Sequence, residues 1–98
     1  MAIVKIPMPL RELTEGTREV ELDADTVEGL LAALDARYPG IRERLCEADG
    51  AIRPFISIYV GHDDVRLGDG LATRLRPSDE IFIVPAMAGG GSEVARRP

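Results

Sequence analysis

A single apolar stripe constrains this chain more than any other feature. Val27, Leu30, Leu31, Leu34 and Tyr38 recur at helical spacing until Pro39-Gly40 stops the pattern. Asp25, followed three residues later by Glu28, reads as a capping box, so the spacing predicts a helix over 26–38. A helix this short is marginal in water by itself, and its stripe must be buried against another element. The runs around it have strand character, which makes that element a sheet.

Residues 2–8 alternate, with Val4, Ile6 and Met8 on one side and Ile3 and Lys5 on the other, and Pro7 and Pro9 mark an edge or bend. Residues 10–16 read as a loop. Residues 17–23 form a second strand that turns Val20 and Leu22 inward between acidic neighbours, and the two strands make a hairpin. After the helix, a short irregular or helical segment covers 41–48. Residues 55–60, bounded by Pro54 and Gly61, are β-branched and aromatic and read as a strand. Residues 61–64 read as a turn, 65–67 as a short strand or bridge, 68–70 as a loop and 77–79 as a turn before the last strand at 80–84. The order ββαβ(β)β does not repeat βαβ units. It fits an α+β domain with a mixed four- to five-stranded sheet and one main helix on one face.

With 98 residues, the chain has room for one modest core. Four aromatic residues leave that core mainly aliphatic. A formal charge of −5 with scattered arginines argues against nucleic acid as a partner. No run approaches the roughly twenty apolar residues of a membrane span, and no signal-peptide pattern opens the sequence, so the expected location is cytoplasmic. Lys5 is the only lysine, which leaves few amines as attachment points for chains of the protein itself.

Candidate catalytic side chains are sparse. Cys46 is the only cysteine and reads as a small apolar residue on a short helical turn, without an arguable base. His62, in Gly61-His62-Asp63-Asp64, reads as a solvated turn residue. The pairs Asp23/Asp25 and Asp63/Asp64 lack calcium-loop spacing and read as turn and cap residues, so no metal site is expected. The chain is not expected to be an enzyme.

The C-terminal region offers different chemistry. An apolar strand, Ile81-Phe82-Ile83-Val84, meets Pro85 and continues as Ala86-Met87-Ala88-Gly89-Gly90-Gly91. Proline removes a ladder donor and is expected to release the chain from the sheet. Glycine, lacking Cβ, lets a thin arm enter a narrow groove. Counted at about 3.3 Å per residue, the six residues 85–90 make a nearly extended length of roughly 20 Å. Side chains alternate along a strand, so if the helix covers Ile81 and Ile83, then Phe82 and Val84 lie on the open face. The alternative is a last strand buried on both faces.

The segment Tyr59-Val60-Gly61-His62-Asp63-Asp64-Val65-Arg66, the stretch Gly70-Leu71-Ala72-Thr73, and the run from Asp79 through Gly90 resemble the MoaD/ThiS family of ubiquitin-like sulfur carriers, closest to its CysO-like branch. The resemblance implies a β-grasp fold over 1–85, a diglycine arm over 86–90 and a removable extension over 91–98. It implies that the Gly90 carboxylate is adenylated and converted to a thiocarboxylate, with Ala88 and Gly89 forming the arm. The implied partners are an ATP-dependent adenylating and sulfur-transferring enzyme, a sulfur-acceptor synthase and a metalloprotease that cuts the Gly90–Gly91 junction. ATP is consumed by the activating enzyme, and no cofactor is expected to be bound by the carrier. Phe82, Val84 and Met87 are the expected partner-binding residues.

The sequence departs from the family pattern by continuing after Gly90. An amide at Gly90 has no carboxylate oxygen to attack ATP, so activity is expected to await cleavage after Gly90, with cleavage after Gly91 the other register. The tail could instead be an end with no processing role. Two further functional readings stay open: a protein modifier joined to lysine through the same glycine, and a noncatalytic β-grasp binding module. The acceptor is expected in cysteine biosynthesis, or else in the formation of molybdopterin, thiamine thiazole or a thiolated metabolite.

Overall fold

Five strands and one long helix account for the architecture. The structure is a computed structural model, and it describes residues 1–86. Strands β1 (Ala2–Lys5) and β2 (Glu19–Leu22) form the N-terminal hairpin, followed by helices α1 (Val27–Arg37) and α2 (Ile41–Leu45). Strands β3 (Ile56–Val60), β4 (Asp63–Asp64) and β5 (Glu80–Pro85) complete a sheet in the order β2-β1-β5-β3-β4. The last strand is therefore central, parallel to β1 and antiparallel to β3. This is the mixed sheet of a β-grasp domain, with α1 lying across one face.

The apolar stripe does what its spacing requires. Val27, Leu30, Leu31 and Leu34 are fully buried, and they meet Val4, Val20, Ile56, Ile58, Ile81 and Ile83 from the sheet in one core. Ile41 and Leu45 of α2 close its end near the β3 start. Burial of one such side chain contributes about 1.5–3 kcal/mol, so the stripe outweighs the intrinsic marginality of an eleven-residue helix. Tyr38, at the C-terminal end of α1, is only partly buried against the core.

Several local expectations are corrected. The cap of α1 is Thr26 rather than Asp25: its Oγ1 accepts the Gly29 N–H at 3.1 Å. Asp25 contributes its carbonyl to Leu75 N–H at 2.8 Å, which holds it in a non-helical connection. The first strand ends at Lys5, and Met8 is exposed rather than inward. Met8–Thr14 forms a 3₁₀ helix instead of a loop, because Pro9 suits a helix start and Leu10 and Thr14 both become buried. The second strand is shorter than expected, Glu19–Leu22, but Val20 and Leu22 point inward as predicted.

The crossover between β3 and β5 also differs. The short strand is Asp63–Asp64, within the expected turn, and Val65–Leu67 is a 3₁₀ helix rather than a strand. Asp64 explains the switch, since its carboxylate accepts the Arg66 N–H at 2.9 Å and starts a helical turn. Gly61, at φ 63°, supplies the left-handed backbone that reverses the chain between β3 and β4. Gly70–Ala72 is a further 3₁₀ turn, which starts at the last residue of the expected 68–70 loop.

Pro85 does not end the pairing. It sits opposite Ile56, and the Ala86 N–H donates to the Phe55 carbonyl at 2.7 Å. That hydrogen bond fixes the ladder phase: alternate residues Phe82, Val84 and Ala86 aim their N–H groups at β3, while position 85 faces the β1 side. Strand β1 has already ended opposite Phe82, so the missing proline donor has no partner to disappoint.

Leu34→Ala is expected to lower the free energy of unfolding by roughly 2–5 kcal/mol by leaving a cavity under α1. Thr26→Ala removes only a cap and is expected to cost about 1 kcal/mol. Urea titration of the two variants checks this ranking, and equal losses would contradict a helix held chiefly by its packed stripe.

Candidate docking face and the root of the arm

The helix covers one side of the sheet and leaves the other available. On β5, Ile81 and Ile83 are buried under α1, Phe82 is partly buried, and Val84 is 45% exposed. The alternation expected from sequence is therefore present, and the reading of a strand buried on both faces does not hold for Val84. Phe82 lies opposite Tyr59 on β3 and opposite Lys5 on β1, while Val84 lies opposite Ser57. Ile3 belongs to the same face and pairs with Glu80 and Glu21. The result is a narrow apolar band, Ile3, Phe82, Tyr59 and Val84, edged by Glu19, Glu21 and Glu80.

Lys5 is the cation within this acidic edge. Its ammonium donates to the Glu19 carboxylate at 2.5 Å. That hydrogen bond, helped by the charges of Glu19 and Glu80 and opposed by partial desolvation, holds Lys5 above the ordinary lysine value. Tyr59, Ile3 and Lys5 were not singled out as site residues from the sequence. The period-two pattern places each on a face, but only strand order brings β1, β5 and β3 side by side.

The same strand leads to the last described residue. Ala86 is fastened to Phe55, which is 48% exposed, and a shallow groove beside them is lined by Pro9, Leu10, Arg44, Phe55 and Pro85. The arm thus starts from a fixed point. Met87, Ala88, Gly89, Gly90 and Gly91, for which docking, reach, chemistry and cleavage are expected, lie outside the described residues.

The structure does not bring the other sequence candidates together. Cys46 is buried and unpaired, and lines a depression beside α2. His62 lies at an exposed turn and lines a different depression with Asp63 and Asp64. No group of three or more His, Cys, Asp or Glu side chains suited to a metal ion occurs among the described residues. No helix among the described residues is long and apolar enough to cross a membrane.

Comparison with known proteins agrees with this geometry. Residues 4–90 match the ThiS family. The sulfur carrier protein CysO of Mycobacterium tuberculosis is 42% identical over 89 residues, covering 89% of this chain and 96% of that protein. A chain in the crystal structure of the Amycolatopsis orientalis BexX/CysO complex superposes with a TM-score of 0.87 at 36% identity, covering 92% of this chain and all of that one. Small archaeal modifier protein 3 of Haloferax volcanii is 37% identical over 68 residues, covering 69% of this chain and 73% of that protein. With the ubiquitin-like β-grasp fold, the family match across nearly the whole sequence and CysO relatives at this identity, the chain belongs to the ThiS family, on its CysO-like branch.

Proposed function

We propose that this chain is a sulfur carrier whose reacting atom is the carbonyl carbon of Gly90. The observation that carries the reading is the family match running from residue 4 through residue 90, with sulfur carrier proteins among the relatives. It stops at the second glycine of the arm and leaves 91–98 outside. The folded body then acts as a grip and the arm as a handle.

The chemistry needs little from the carrier itself. A carboxylate is a poor electrophile. An ATP-dependent partner converts it to an acyl adenylate when a Gly90 oxygen attacks the α-phosphorus and pyrophosphate leaves. A sulfur nucleophile then attacks the acyl carbon, AMP departs with the electron pair of the broken C–O bond, and a thiocarboxylate results. The carbon stays at the acid oxidation level throughout, and the sulfur passes next to an acceptor synthase. Resemblance to the CysO-like branch favours an acceptor in cysteine biosynthesis over molybdopterin, thiamine thiazole or another thiolated metabolite.

Each feature of the carrier serves this sequence of steps. The band of Ile3, Phe82, Tyr59 and Val84 with its acidic edge suits a partner surface that is apolar at its centre and basic at its rim. Docking by this face leaves the arm, rooted at Ala86, to cover the remaining distance to a recessed active site. While residues 91–98 remain attached, Gly90 is an amide and adenylation has no oxygen nucleophile. A peptidase of the metalloprotease type that trims ubiquitin-like tails therefore has to act first. Its removal of two arginines and one glutamate makes the chain one unit more acidic.

A second reading is favoured by the modifier relative: the activated Gly90 is captured by a lysine of another protein instead of by sulfur. The two readings share adenylation and differ in the nucleophile.

Incubation of full-length and Gly90-terminated protein with the activating enzyme, ATP and sulfide tests the proposal by intact mass. The trimmed chain is expected to exchange one oxygen for sulfur and the full-length chain to stay unchanged. A trimmed chain that is neither adenylated nor thiolated contradicts it, and lysine conjugates without sulfur loading favour the modifier. Phe82→Asp is expected to weaken binding to the activating partner tenfold or more, about 1.4 kcal/mol, while shifting the melting temperature only slightly. Comparable losses in both would show that Phe82 serves the core.

A further inference from the structure

A chain with an activated acyl group on a long arm carries a hazard of its own, because any amine within reach of the arm can end the reaction as an amide. Only one lysine exists in the sequence, and the fold puts it on the face from which β5 presents Phe82 and Val84. Lys5 pairs with Phe82, three residues before Pro85, which places it about 10 Å back along the sheet from the arm's root. The five steps from Pro85 to Gly90 span up to roughly 17 Å. Lys5 is therefore within the arm's own reach. Met1 is not an equivalent acceptor, because its carbonyl bonds the Ser78 N–H beyond the far end of β5, a strand roughly 17 Å long by itself.

We propose that Glu19 guards the reactive end of this chain from the chain's own lysine, holding the Lys5 ammonium in an ion pair so that it does not capture the activated Gly90 acyl group as a dead-end lactam. The inference rests on the carrier reading for its biological meaning, but its chemistry is separately accessible. In the avoided reaction the Lys5 Nζ lone pair attacks the Gly90 carbonyl carbon and a C–N bond forms. The bond to the leaving group breaks with its electron pair, and the nitrogen loses a proton to solvent. An ammonium has no lone pair to begin this step.

The charged neighbours of Lys5 favour the ammonium and outweigh its partial desolvation. Glu19 on β2 hydrogen-bonds it, Glu80 on β5 adds negative charge, and Glu21 lies one pleat further along β2 on the same face. Tyr59 on β3 stands on the far side of Phe82 and brings no carboxylate or ammonium to the cluster. The hydrogen bond to Glu19 is the largest influence holding Lys5 above the ordinary lysine value. With Glu19 removed, the fraction of neutral amine at a given pH rises, and capture begins at lower pH.

The test uses residues 1–90 carrying a C-terminal alkyl thioester, which supplies an activated acyl group without any partner enzyme. Every core residue lies between Ala2 and Ile83, so this chain retains the whole folded domain. Intact mass distinguishes the hydrolysed acid from the lactam, which is lighter by one water. Between pH 7 and 9 the unsubstituted chain is expected to hydrolyse, whereas Glu19→Gln is expected to give several-fold more lactam with its onset at lower pH. The double variant Lys5→Arg/Glu19→Gln is expected to return to hydrolysis. Lactam forming as readily in the unsubstituted chain overturns the proposal, as does no gain in Glu19→Gln or a gain that survives loss of Lys5. Because no activating enzyme is present, failure here leaves the sulfur-loading result standing on its own.

Discussion

The pairing of β5 between β1 and β3 is the constraint on which the rest depends. On the proposed reading, one strand anchors the core and also delivers the chain's end to a partner. Its two faces divide those tasks. Ile81 and Ile83 lock into the layer beneath α1, and any movement of the strand would drag fully buried side chains out of a close-packed interior. Phe82 and Val84 are held rigidly as a consequence, on the side the helix leaves bare. The hydrogen bond from Ala86 to Phe55 extends this rigidity to the last described residue, so the arm departs from a fixed origin.

Much of this arrangement was legible in the sequence because period decides face. The stripe from Val27 to Leu34 could only be a helix seated on a sheet, and the alternation at 81–84 assigned the buried and open sides of the last strand. What was not legible depended on competition between local hydrogen bonds. Thr26 displaced Asp25 as the cap because the Asp25 carbonyl is engaged by Leu75, a contact between residues fifty positions apart. Asp64 turned Val65–Leu67 into a helical turn by bonding the Arg66 N–H, although the composition of that segment suits a strand. The missing donor of Pro85 suggests a terminator, yet the phase of the ladder aims that position away from β3, where no donor is needed.

The open face was only half legible for a related reason. Strand alternation identified Phe82 and Val84, but the neighbours that complete the band, Ile3 and Tyr59, become neighbours only through the order β2-β1-β5-β3-β4. The same order sets Lys5 between Glu19 and Phe82. An unremarkable count of one lysine thereby gains a position relative to the arm, and the electrostatics of the face become linked to the chemistry at its end. The resemblance of the final strand and glycines to ThiS-family carriers is what points to Gly90 as the proposed reacting residue, and the folded body fixes only the origin of the arm that would present it.

Mass spectrometry of the protein recovered from its own host tests the central claim most directly, since it reads both the processing of the arm and the state of its acyl group. The account predicts a chain that ends at Gly90, with a population in which one carboxylate oxygen has been replaced by sulfur. A chain that remains full length in cells where its pathway operates, with no sulfur at any glycine, would contradict it.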